Sequence, residues 1–279
     1  HQISSPFKWD FRLKTEESFT QQRVVVYDSI GPGLGQYRYE PELNTYISDQ
    51  NGSYVAYTVQ TGERNPTTLI ETVQYLTYDF GKINGLPNIL VRFNNKIDFR
   101  GNDFNLKRLV KSSLLNSSTV NSKLLSRMEL DFYGSNRILT WFDLQRSLSG
   151  IDPRGNDLIN HWELGCHVNR YLNKLFSLQF RSIYTSKDIQ SNRSLIRIRS
   201  VEGWWNELHL LINRNAASII DFVIMQGKNK GILEQNSYSS NTIGFAFNGK
   251  IFINKVGRIQ TKLEWTNIST NPRNTYLPP

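Results

Sequence analysis

Cysteine is almost missing from this chain: Cys166 is the only one, which excludes an intrachain disulfide and any zinc site built on several cysteines. Histidine is scarce too. Four occur in 279 residues, and with no Gly-x-Ser-x-Gly elbow or recognisable carboxylate pair beside them, no hydrolase site can be assembled. Long apolar runs are also lacking. The stretch Ile219 to Met225 is broken by Asp221 and falls far short of the roughly 20 apolar residues a membrane-spanning helix needs, so such a chain could cross a membrane only as a barrel. No dense block of one charge is present. Lys and Arg number 33 against 24 Asp and Glu, for a net charge of +9 and a pI near 9.6. Spread along the whole chain, that excess reads as a solvated surface that attracts anionic partners without selecting among nucleic acid, lipopolysaccharide, phospholipid headgroups or acidic glycans. The sequence opens on His1 rather than Met and shows no signal-peptide order, as expected of a processed chain or a fragment.

What the sequence has in abundance is alternation. Met128, Leu130 and Phe132 alternate with Arg127, Glu129 and Asp131; beyond the Gly134-Ser135-Asn136 turn, Ile138, Thr140, Phe142 and Leu144 form a second alternating set. This predicts an antiparallel hairpin. Trp162, Leu164, Cys166 and Val168 alternate with Glu163, Gly165, His167 and Asn169, and Phe176, Leu178, Phe180 and Tyr184 with Ser177, Gln179 and Arg181. Leu208, Leu210 and Ile212 oppose Glu207 and His209; Ile243, Phe245, Phe247, Ile251 and Ile253 share a face; Ile259, Thr261, Leu263 and Trp265 oppose Arg258, Gln260, Lys262 and Glu264. Turns are expected at Tyr171 to Asn173, Ser186 to Asn192, Asn213 to Ala216, Gly227 to Gly231 and Asn254 to Gly257. The fold class is therefore all-β, with up-and-down antiparallel strands of roughly 8 to 12 residues, long by soluble standards. One short helix is allowed at Phe104 to Leu115, where Leu106, Leu109, Val110 and Leu114 have helical spacing.

The first third differs in texture. After Val24-Val25-Val26-Tyr27, the units Gly35-Gln36-Tyr37, Asn44-Thr45-Tyr46 and Gly52-Ser53-Tyr54 recur, which suggests tight turns each followed by an aromatic that packs on the next hairpin. Ile70 to Phe80 and Ile89 to Phe99 read as further strands. A soft boundary near Asn65-Pro66 separates a Gly/Tyr-rich hairpin region, residues 1–66, from an antiparallel barrel or large-sheet region, residues 67–279.

Candidate sites are few. Gly31-Pro32-Gly33-Leu34-Gly35 follows a strand, but the Gln36-Tyr37-Arg38-Tyr39-Glu40-Pro41 after it does not open the helix a phosphate loop requires, so it reads as a wide turn. Asp49, Asn51 and Gly52 begin like a calcium loop and lack the rest of its ligands, including the closing Glu; a plain Asn-Gly hairpin turn accounts for them. His161 and His167 share a polar face with Glu163, yet on a strand they stand about 20 Å apart, too far to share one metal ion. Arg193, Arg197 and Arg199, with Trp204-Trp205 downstream, could form a cationic and aromatic surface for single-stranded nucleic acid; no ribonucleoprotein signature accompanies them and a cationic patch inside a barrel explains them at least as well, so nucleic acid is not an expected partner. No cofactor is implied.

Two architectures produce such strands: a soluble sandwich, whose apolar faces meet in a core, and a membrane barrel, whose apolar faces meet lipid. Strand length favours the barrel. So do the polar faces, which carry both charge signs: Arg127, Glu129 and Asp131, Glu163 and His167, Arg197 and Arg199, Lys262 and Glu264. Trp162, Tyr171, Tyr184, Trp204, Trp205 and Trp265 stand near strand ends, as interfacial aromatics would. On these residues the region from Arg127 to Trp265 resembles the outer-membrane β-barrel proteins of Gram-negative bacteria, and the Gly-x-Tyr-rich start resembles extended β-segments of large cell-surface proteins. The resemblance implies an outer-membrane or cell-surface location, a non-enzymatic role in transport, secretion-assembly or anchoring, and as partners outer-membrane lipid or lipopolysaccharide and other proteins of an envelope complex. The alternative is a soluble extracellular β-sandwich module that binds a protein or glycan.

Overall fold

A computed structural model describes residues 6–81, 88–102, 104, 119–150, 152–153, 155–191, 198–215, 218–233, 236–253 and 257–272. Thirteen strands run in chain order: β1 (Phe7–Ser29), β2 (Gly35–Glu40), β3 (Thr45–Gly52), β4 (Tyr54–Gly81), β5 (Asn88–Gly101), β6 (Thr119–Tyr133), β7 (Arg137–Ser149), β8 (Asp157–Tyr171), β9 (Phe176–Ser191), β10 (Ile198–Asn215), β11 (Ser218–Leu233), β12 (Asn236–Ile253) and β13 (Gly257–Pro272). No helix occurs among the described residues; all but Phe104 of the Phe104 to Leu115 segment lies outside them.

All thirteen strands belong to one sheet, in which β4 to β13 pair with their chain neighbours and β1 pairs with β4. Every neighbouring pair is antiparallel. The sheet is barrel-like but does not close. Its two ends differ. One carries only the connections 82–87, 134–136, 172–175, 216–217 and 254–256, whereas the other carries 102–118, 150–156, 192–197, 234–235 and the long excursion through β2 and β3. These are called here the turn end and the loop end.

At the loop end β1 and β4 run on together past the last β5 partner, Thr68↔Gly101, as a two-stranded stem up to Ser29↔Tyr54. β4 passes through Asn65-Pro66 without a break, paired with β1 on both sides of it. Pro66 can sit there because that stretch of β4 has one unpaired edge, where a missing N–H breaks no ladder. The stem carries a tyrosine cluster. Tyr27 stacks on Tyr46 at 3.9 Å, and Tyr37, Tyr39 and Tyr54 surround the pair at 5.0 to 5.3 Å. The recurring glycines make this possible: a Cβ on Gly35 would strike the backbone of Tyr54, and one on Gly52 the backbone of Tyr37. The expected Asn-Gly hairpin turn is therefore not there. Gly52 is the end of β3, paired with Gly35, and Asp49 Oδ1 accepts the Asn51 N–H at 3.0 Å.

Two other expected turns are strand. β9 continues through Ser186 to Ser191, and Gly227 to Gly231 lies within β11. The second difference has a clear cause. These glycines make room for aromatic rings from neighbouring strands, Trp205 over Gly227 and Tyr238 over Gly231, and Trp141 lies over Gly165 in the same way. A glycine inside a strand marks such close approach as readily as it marks a turn.

Candidate functional site: an apolar belt and a charged inner face

The ladder fixes which side chains share a face, because directly paired residues point the same way. One row runs Trp9, Leu76, Phe93, Met128, Phe142, Leu164, Tyr184, Trp204 across β1 and β4 to β10. The next rows toward the turn end hold Ile89, Phe132, Ile138, Val168, Phe180, Leu208, Ile224, Phe245 and Trp265. Together they form an apolar belt. Beyond Trp204 the first row leaves it, passing through Lys228, Asn241 and Ser269, while the belt continues nearer the turn end in Ile220 to Ile224, Phe245 to Ile251 and Ile259 to Trp265. A level band drifting along successive strands in this way is the signature of strands tilted to its plane. On β9 the belt extends from Phe176 to Tyr184 and on β10 from Trp204 to Ile212, about 26 Å of strand at about 3.3 Å per residue.

Among the described residues nothing covers the turn-end part of the belt. Phe142 is 42% exposed, Leu164 48%, Phe222 45% and Phe245 50%, and substantial contacts between elements occur only between neighbouring strands. Buried apolar side chains on the same face lie at its loop end, where Ile97, Phe99 and Leu124 cluster with Ile70 and Leu144 and Phe104 packs edge-on against Phe99. A polar row interrupts the belt at Thr140, Cys166, Ser182, Asn206 and Gln226, with Ser182 Oγ bonded to Asn206 Oδ1 at 2.7 Å. Along the loop-end margin runs a chain of rings: Phe142 to Trp162 at 6.4 Å, Trp162 to Tyr184 at 5.0 Å, and Tyr184 to Trp204 at 4.8 Å. Lys228 is the next residue in that row.

In the turn-end part of the sheet the opposite face is charged and more crowded; toward the loop end the apolar side is the more buried, with Leu148 and Leu158 enclosed. Asp131, only 2% exposed, receives both Arg137 Nε and Nη2, at 2.8 and 2.7 Å, and Arg92 stands 3.5 Å away. Arg92 also bonds Glu129 at 3.1 Å, and Arg127 bridges Glu129 at 2.6 Å and Asp143 at 3.0 Å. Trp141 Nε1 donates to Glu163 at 2.7 Å, and the Arg127 guanidinium lies 6.0 Å above the Trp141 ring. A second group follows on β9 to β12. Trp205 Nε1 donates to Glu207 at 2.8 Å, and His209 Nδ1 lies 3.1 Å from Asp221. Between β4 and β8 the face holds a cavity of about 300 Å³ lined by Tyr75, Lys96, Arg127, Asp143, His161 and Glu163.

Of the polar-face residues singled out in the sequence, Arg127, Glu129, Asp131, Glu163, His167, Arg199, Lys262 and Glu264 all fall on this one face. Arg197 lies outside the described residues. Arg127, Glu129 and Asp131 belong to one network; Lys262 and Glu264 pair with each other, at 2.8 Å on the last strand. Of the aromatics, Trp162, Tyr184, Trp204 and Trp265 are on the belt. Trp205 and Tyr171 are not: adjacent residues on a strand point to opposite faces, so Trp205 turns inward to Glu207, and Tyr171 shares the charged face at the end of β8. Sequence reasoning missed Arg92, Arg137, Trp141, Asp143 and Asp221, which complete the charged face. Their signal is cross-strand register, and no single strand contains it.

No group of three or more His, Cys, Asp or Glu among the described residues is arranged to hold a metal ion. Compared with family models, curated proteins and solved structures, the chain matches none.

Proposed function

We propose that this chain is a membrane-embedded β-wall of the Gram-negative outer membrane or cell surface, acting in transport, secretion-assembly or anchoring and not in catalysis. One observation carries the reading: over the turn-end part of the sheet the apolar face is bare, with Phe142, Leu164, Phe222 and Phe245 42 to 50% exposed, while the charged face opposite is the crowded one. A soluble sandwich needs the reverse, with apolar faces buried against each other. In a bilayer the same bare belt meets acyl chains, and its strand length of about 26 Å, tilted as in outer-membrane barrels, spans about 20 Å of their roughly 25 Å apolar band. The ring row from Phe142 to Trp204, followed by Lys228, has the order expected at a headgroup boundary, with aromatics first and a lysine reaching past them to water or phosphate. The longest connections, 102–118 and the excursion through β2 and β3, fall at one end, as the longer loops of such barrels do. The partners on this reading are outer-membrane lipid or lipopolysaccharide around the belt and envelope proteins at the loop end, where the tyrosine-bearing stem stands clear of the belt. Both charge signs on the inner face suit the passage or docking of polar groups.

The test is detergent dependence followed by reconstitution. The chain should need detergent to stay monodisperse, float with liposomes, and migrate differently on gels with and without boiling. A detergent-free monodisperse protein that stays out of liposomes would sink the proposal and favour a secreted binding module, with a glycan array or pull-down as the next step.

A further inference from the structure

We infer that the wall closes on itself through a parallel seam between β1 and β13. This rests on the membrane reading. Setting aside the β2–β3 hairpin, eleven of the thirteen strands form the wall, and its two edges are β1 and β13. The belt reaches both. On β1 it consists of Phe7, Trp9, Phe11 and Leu13; on β13 it consists of Ile259, Thr261, Leu263 and Trp265. An unpaired edge at belt level would hold bare N–H and C=O groups in acyl chains, which a spanning sheet does not tolerate. Each edge therefore needs a partner.

Antiparallel pairing at every step fixes the geometry. From β1 through β4 to β13 the direction reverses ten times, so β1 and β13 run the same way. In both strands the belt lies toward the turn end. Laying them side by side joins Phe7 to Leu13 with Ile259 to Trp265 outside, and Asp10 and Arg12 with Lys262 and Glu264 inside, with neither strand inverted. An antiparallel closure would instead need an odd number of further strands between them. Among the described residues the other open edges, β3 beyond β2 and the stem stretch of β4 from Val55 to Thr67, lie at the loop end, away from the belt. Side chains from Phe7 to Glu17 and along β13 through Thr270 are exposed on both faces, as expected of strands with a neighbour missing.

The test is cross-linking of the full chain in liposomes with a short bis-maleimide. In a Cys166→Ser background, Phe11→Cys is combined in turn with Thr261→Cys, Leu263→Cys and Trp265→Cys. Phe245→Cys with Trp265→Cys, direct partners on β12 and β13, is the control. At least one β1–β13 pair should give an intramolecular link, seen as a monomer with faster migration and a joined peptide after proteolysis. No link at any of the three while the control links overturns the seam, and so does a link formed only between two molecules. Flotation on the same samples separates the two readings: a chain that does not float overturns the membrane proposal, and one that floats without the link overturns the seam alone.

Discussion

Asp131 and Glu264 are both carboxylates on the charged face, and their surroundings give them very different weight. Asp131 is enclosed by a two-pronged guanidinium contact from Arg137 and a second arginine, Arg92. Neutralising this buried carboxylate removes the charge from its bonds with two partly exposed arginines, and a hydrogen bond to a charged group contributes about 1.5–3 kcal/mol. Glu264 meets Lys262 in the open, with side chains 44% and 66% exposed, where an ion pair contributes less than about 1 kcal/mol. Asp131→Asn should therefore lower the denaturant midpoint in micelles clearly, and Glu264→Gln should leave it almost unchanged. Equal effects would mean that the network around Asp131 is not formed.

At the scale of the strand, the belt has edges that a single substitution can locate. Phe245 and Asn241 lie on the same face of β12, four residues apart, the first within the belt and the second in the row that has already left it. Phe245→Arg should destabilise the protein in bilayers by about 2–4 kcal/mol, and Asn241→Arg by about 0–1 kcal/mol, because the cost of a lipid-facing charge falls toward the interface. Unfolding titrations in lipid vesicles read the difference. The strands themselves were legible beforehand because period-2 alternation is a local property: the sets at Met128 to Leu144, Trp162 to Tyr184 and Ile243 to Trp265 each lie within one or two strands. What stayed hidden needed two strands at once. Gly227 and Gly231 look like turn residues until Trp205 and Tyr238 are seen lying over them, and Asp143 looks like any polar-face residue until Arg127 is placed opposite. The tyrosine units at the start did signal close packing, though their glycines serve a strand crossing and not a row of hairpin turns.

For the whole molecule, the adjacent tryptophans Trp204 and Trp205 report which face meets lipid. Variants keeping only one of the two, with the other five tryptophans changed to phenylalanine, can be placed in vesicles containing brominated acyl chains. Trp204 should be strongly quenched and Trp205 little. The opposite pattern would turn the sheet inside out and remove the basis of the membrane reading.

The up-and-down order also governs how such a wall could be made. From β4 onward each strand pairs with the one just completed, so registration needs only short connections to close, and loop-closure entropy rises slowly with length. β1 is the exception. Its pairing with β4 begins at Ser29↔Tyr54 and ends at Phe7↔Tyr78, so the two strands can zip from the tyrosine cluster toward the turn end. The residues at the start of the chain are then the last of that pair to be fixed, and the stem, already registered at the loop end, guides that edge into place.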